Sequence, residues 1–323
     1  MIKTTILIFL VLFFAMNMGA SGIAPSFAAI YGGKIIRKKY ALGLFGVFVV
    51  FGAILLGRNV TLTLGKGLLP QEHINFDVVL IILGSAALSL FVANLVKIPQ
   101  STSQVTVSAI VGVGMYLKQL CVKTLLFKVL PMWIILPLVS YVLTFFLYRK
   151  FYPPVHGNLH FYEKIFANEK NLRWVAIGIS CYVALAIGSN NVANAVGPLY
   201  GGGIIGVGTG LLMVAPLFGL GAGFLGNGPL ETAGKEIVPL GLVSSTLISL
   251  VTATLLIYAS WMGVPQSLVQ LNLASVFAVG CVKNGHRYTL DQRITRKTFL
   301  VWAITPLISL CVSYLLSFLI LKK

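Results

Sequence analysis

Two kinds of polar motif interrupt the apolar stretches of this chain, and each kind occurs twice. Gly19, Ser21 and Gly22 fall inside one apolar run, and Gly188, Ser189, Asn190, Asn191 and Asn194 fall inside another. A broken helix exposes N–H and C=O groups that hydrocarbon cannot satisfy and an ion can. N–H groups at the start of a half-helix favour an anion, and unwound carbonyls favour a cation. The second kind is Pro99-Gln100-Ser101-Thr102-Ser103-Gln104, with a counterpart in Pro265-Gln266-Ser267. Proline suits the first turn of a helix, where Ser or Thr caps exposed N–H groups or donates to a ligand. Three consecutive hydroxyls at a helix start, within an apolar segment, suit a tetrahedral oxyanion in a small, dry site. Plain capping and helix-to-helix hydrogen bonding would use the same residues without a ligand. Symmetric recurrence favours the ligand.

The anion-binding candidates are therefore Gln100, Ser101, Thr102, Ser103, Gln104, Gln266 and Ser267, with Ser21 and Asn190 on the far side. Asn17, Gly19, Asn191 and Asn194 are candidates for shaping the breaks or holding a coupling cation. Glu231 has two readings: a desolvated acid that carries a coupling proton, or a loop acid paired with Lys235. The chain has only seven acids. Cys121, Cys181, Cys281 and Cys311 stand singly and read as small packing residues, so no metal site and no cofactor are expected. A membrane-embedded enzyme would need clustered acids, His or Cys within its helices, and no such cluster occurs in the sequence.

These motifs need helices to carry them, and composition supplies the helices. Hydrophobic residues make up 58% of the 323, charged residues 10%, and mean hydropathy is +0.95. A soluble domain carries about 25% charged residues. Apolar runs near 4–30, 40–57, 75–96, 99–117, 124–148, 172–199, 206–226, 238–262, 264–282 and 298–321 predict an all-α polytopic membrane protein with about ten segments, some of them broken or re-entrant. The start resembles a signal peptide, but its apolar character continues past Gly22, and it reads as the first membrane helix. The net charge of +17 sits between the apolar runs, where it sets topology and does not indicate nucleic acid.

The chain is also internally duplicated. Residues 19–70 align without a gap on residues 188–239, an offset of 169, and Trp133 and Pro137 recur at the same offset as Trp302 and Pro306. IPQSTSQ at 98–104 pairs with VPQSLVQ at 264–270. Lys and Arg divide 16 against 8 under an alternating topology, which makes the linker cytoplasmic and both termini extracytoplasmic. With about five crossings per half, the repeats, 1–149 and 173–323 around a linker at 150–172, would be inverted, a common transporter architecture. A surface such as Gly219 and Gly223 permits a homodimer.

At the two motif pairs the sequence resembles the inorganic phosphate transporter (PiT) family. GSNNVANAVGPL is similar to its duplicated G-A-N-D-x-A-N-A element, PQSTSQ to its P-V-S-T-T-H element, and GNGPLETAGKEI to a third family stretch. The resemblance covers essentially the whole chain. It implies a secondary transporter in the plasma membrane, holding a tetrahedral oxyanion between two hydroxyl-bearing helices. Where that family's phosphate carriers place an Asp for Na⁺, this chain has Gly22 and Asn191. A hard cation would then rely on carbonyl, amide and hydroxyl oxygens. These departures, with FFAMNMGASG near the start, resemble the family's sulfate permease branch. The expectation is a symporter for sulfate coupled to H⁺, with phosphate coupled to Na⁺ or H⁺ as the alternative.

Overall fold

The computed structural model describes residues 1–95, 101–153, 160, 163, 167–226, 228, 230–231, 241–291 and 293–321. Gln100, Lys235 and much of the expected linker lie outside the described residues. The described residues are helical, without a strand: α1 (Ile2–Gly32), α2 (Lys38–Leu56), α3 (Arg58–Leu62), α4 (Phe76–Leu95), α5 (Thr102–Leu117), α6 (Leu130–Phe151), α7 (Glu169–Asn191), α8 (Ala193–Gly201), α9 (Val207–Leu225), α10 (Leu242–Trp261), α11 (Leu268–Asn284), α12 (His286–Asp291) and α13 (Arg293–Ile320). Two π-helical turns, Thr63–Gly67 after α3 and Leu125–Val129 before α6, complete the regular structure that bears on the site.

Six of the described helical stretches are long and apolar enough to cross a membrane, and four shorter apolar helices match the remaining expected runs. Helix is the form a chain takes in hydrocarbon, because it satisfies every backbone group within one segment. The outer surface is correspondingly apolar: Phe9, Leu55, Ile134, Phe146, Met213, Phe224 and Leu319 are all exposed. The protein is thus a multi-pass membrane protein.

The expected break at Gly19–Gly22 is absent, because α1 runs unbroken through Ser21 and past Pro25. The glycines serve close packing. A Cβ at Gly19 would land on the backbone of Phe218 in α9, and a Cβ at Gly188 would land on the backbone of Val49 in α2. Both residues of the second pair stand 169 positions from those of the first. Gly52 against Leu185 and Gly221 against Met16 form another such pair. Backbones approach this closely only where side chains are missing. Between α7 and α8 the interruption is equally slight, since Val192 keeps helical dihedrals (φ −60°, ψ −33°). Of the Gly219 and Gly223 surface expected to permit a homodimer, Gly219 faces Gly46, where a Cβ on it would come within 3.0 Å of the Gly46 Cα, and Gly223 has nothing within 4 Å of its Cβ position.

Helices from the earlier and later parts of the chain also bond to each other. On α6, Ser140 Oγ donates to the carbonyl of Leu271 in α11 (3.0 Å), and on α13, Ser309 Oγ donates to the carbonyl of Val105 in α5 (2.8 Å). These two bonds are repeat equivalents, since 140 and 309 share the offset of 169, and Val105 and Leu271 hold the same place in the paired motifs. The helix ends match as well. Lys34 (φ 55°) and Gly203 (φ 65°) take the same left-handed turn after α1 and α8.

Candidate functional site

True breaks lie at the second motif pair. α10 ends at Trp261 and α11 begins at Leu268, with Val264, Pro265, Gln266 and Ser267 buried between them. Ser101 caps α5 and Ser267 caps α11 in matching extended conformations (φ −87°, ψ 112° and φ −85°, ψ 107°). The Ser101 Oγ accepts from the Gln104 N–H and the Ser267 Oγ from the Gln270 N–H, each at 3.2 Å. One first-turn donor per helix is satisfied in this way. The N–H groups of Thr102 and Ser103, and of Leu268 and Val269, have no intrahelical acceptor. Both helix starts therefore present donors and the positive end of a helix dipole.

A single turn of α7 and α8 brings the two starts together. Asn194 Nδ2 donates to Thr102 Oγ1 (3.3 Å) and Ser103 Oγ (3.2 Å) at the start of α5. Asn190 Oδ1 accepts from the Gln266 N–H (2.9 Å) just before α11, and its Nδ2 donates to the Val264 carbonyl and to Ser260 Oγ, both at 3.0 Å. Ser189 Oγ lies 2.9 Å from the same Ser260 hydroxyl. Because Val192 stays helical, the two asparagines keep an i,i+4 spacing, about 5–6 Å between Cβ atoms. Both are fully buried.

Several buried polar atoms around this turn have no partner. They are the side-chain oxygens of Gln104, Gln270, Asn191 and Asn194, and both amide atoms of Gln266, whose side chain is completely buried. A buried, unpaired amide costs about 1–3 kcal/mol. Amides present a donor or an acceptor by a half-turn of the side chain. The arrangement is thus a buried cluster of hydroxyls, amides and helix N-termini. Among the described residues no carboxylate is bonded to any of these groups.

Ser101, Thr102, Ser103, Gln104, Gln266 and Ser267 lie at the two helix starts that this turn joins, and Asn194, expected to shape a break or hold a cation, is bonded to Thr102 and Ser103 among them. Asn190, expected to touch an anion, instead has both ends of its amide engaged by the chain leading into α11. Ser21 is exposed and donates to the Met18 carbonyl within its own helix (3.0 Å), apart from this group. Asn17 likewise donates to the Phe13 carbonyl (2.8 Å). Glu231 forms an exposed ion pair with Lys38 (3.5 Å) and does not lie among the buried amides. Two contributors escaped the sequence reading. Ser260 is a lone hydroxyl at a helix end, and nothing in the sequence marks it. Gln270 was marked only by its equivalence to Gln104.

Buried helix starts of this kind, within a bundle of membrane-crossing helices, define an ion-handling membrane protein. The chain belongs to the phosphate transporter family, which matches residues 18–313, and it is a transporter and not an enzyme. It is 41% identical over 315 residues to the sulfate permease CysP of Bacillus subtilis (strain 168), covering 96% of this chain and 86% of that one. A putative phosphate permease of Thermococcus kodakarensis is 26% identical, with 95% of each chain covered. Among solved structures, a sodium-dependent phosphate transporter superposes with a TM-score of 0.80 at 22% identity over 99% of both chains, a likeness of fold.

Proposed function

We propose that the protein imports sulfate across the plasma membrane as a symporter driven by a proton gradient. The observation that carries this reading is the convergence of two hydroxyl-capped helix starts on the Asn190–Asn194 turn, with no carboxylate bonded to the group among the described residues. Sulfate is fully dianionic at neutral pH and only accepts hydrogen bonds, so it suits hydroxyl and N–H donors. The relative at 41% identity, a sulfate permease, supports the same choice. Gly22 and Asn191, where the family's phosphate carriers place Asp, support coupling without a strong Na⁺ site.

In this reading Ser101, Thr102 and Ser103 with Ser267 hold the anion, while Gln104 and Gln266 flank it. The reciprocal contacts related by the 169-residue offset support two repeats, and the 16-against-8 division of Lys and Arg supports both termini extracytoplasmic. Transport would follow from one bundle rocking against the other. Phosphate is the second reading, and the unpartnered oxygens of Gln104 and Gln270 favour it, because a protonated phosphate needs an acceptor.

The test is radiolabelled sulfate uptake into proteoliposomes under an inward H⁺ or an inward Na⁺ gradient, with excess phosphate as competitor. Proton-driven uptake that phosphate leaves intact supports the sulfate reading. Na⁺-driven phosphate uptake, with sulfate excluded, would overturn it in favour of the second.

A further inference from the structure

Lys128 is anchored to a part of the chain distant from it in sequence. It lies within the π-helical turn Leu125–Val129, and its Nζ donates to the Oγ1 of Thr63 (3.3 Å), the residue that opens the other π-helical turn, Thr63–Gly67. Such turns are rare and gather at functional sites. Gly263, held at φ +68°, passes directly beneath: a Cβ built on it would lie 3.2 Å from both the Lys128 Nζ and the Thr63 Oγ1. Asn59 Nδ2 pins the same stretch through the Trp261 carbonyl (2.8 Å), and Trp133 Nε1 pins it through the Pro265 carbonyl (2.7 Å).

Lys128 is thus fixed over the connection that leads, three and four residues on, to Gln266 and Ser267. It is half-buried and has no acid partner among the described residues, whose ion pairs use Lys3, Lys38, Arg173 and two histidines. An ammonium has three donors, and Thr63 accepts one. A fixed positive charge at the edge of a low-dielectric wall concentrates anions in front of it. The duplication repeats the feature in sequence, since Lys297 stands 169 residues after Lys128.

We propose that Lys128 is an outer collecting site, which holds the oxyanion through its ammonium before the anion reaches the hydroxyl-capped helices. This inference rests on the reading that the chain carries a tetrahedral oxyanion.

The test uses K128M, which keeps the aliphatic stem, and K128R, which keeps the charge. Initial uptake of labelled sulfate and of labelled phosphate is measured at low and high ionic strength, in vesicles with and without anionic lipid. Equilibrium binding of the same labelled anions to purified protein is measured in parallel. For the anion the wild type carries, K128M should raise KM about tenfold at low salt with Vmax within about twofold. Screening should shrink that difference at high salt, and K128R should restore the wild-type KM. An unchanged KM, a fall in Vmax alone, or no recovery in K128R overturns the proposal. So does a defect seen only with anionic lipid, which would assign Lys128 to a lipid headgroup. If the wild type neither binds nor carries either anion, the transport reading fails and this proposal fails with it. If the wild type transports and K128M matches it, only the Lys128 proposal fails.

Discussion

Asn190 and Asn194 stand one helical turn apart, and each holds the start of a different helix. Asn194 reaches Thr102 and Ser103 on α5, whereas Asn190 grips the backbone of Val264 and Gln266 ahead of α11. The two helices come from different halves of the chain, so a single helical turn registers one half against the other.

Asn190→Ala should destabilise the protein more than Asn194→Ala. The first leaves two buried backbone groups without partners, about 1–3 kcal/mol each, while the second removes only hydroxyl contacts. Thermal unfolding in detergent measures both. An equal shift in Tm for the two variants would count against the clamp.

Ser101→Ala, Ser267→Ala and Thr102→Val should abolish or strongly reduce uptake while membrane insertion stays intact. Each serine variant also loses its helix cap, which costs about 1 kcal/mol. Fluorescence-detected gel filtration establishes folding and anion uptake reads function. Wild-type uptake by all three would remove these residues from the site.

Gly19→Ala and Gly188→Ala should each lower stability by about 1–3 kcal/mol, because the added methyl meets backbone on the facing helix. Gly178→Ala provides the contrast. Nothing lies within 4 Å of its Cβ position, and the change should be neutral or stabilising by about 0.5–1 kcal/mol. Melting temperatures of the three variants compare these effects directly.

Trp133→Phe keeps an aromatic side chain, though a smaller one, and removes the donor to the Pro265 carbonyl. It should cost about 1–2 kcal/mol and slow transport, because the connection into α11 loses one of its anchors. Uptake kinetics together with a melting curve check both parts.

Much of this arrangement was legible in the sequence. The ten apolar runs locate the helices to within a few residues, since length and hydropathy suffice for a segment surrounded by hydrocarbon. The paired PQS motifs located both capped helix starts, because proline followed by serine has few other uses inside an apolar stretch. Gly19 misled, since glycine marks a helix break and a close helix crossing alike, and only the facing helix distinguishes them. Glu231 had two readings, a proton carrier or a loop acid paired with Lys235, and its ion pair with Lys38, far away in sequence, lies beyond any local pattern. Asn190 was read as a ligand because a side-chain amide matches an anion as well as it matches a backbone. Ser260 carried no signal at all.

The exchange of helices between halves has a consequence for how the protein is made. The bond from Ser309 to Val105 spans 204 residues, so α5 emerges from the ribosome long before its covering helix exists. At about 5–20 residues per second that interval is on the order of 10–40 s. Throughout it the first half sits in the bilayer with the face of α5 that α13 covers left open to the insertion machinery or to lipid. A half expressed alone would never leave that condition, so separately encoded halves should accumulate only when synthesised together.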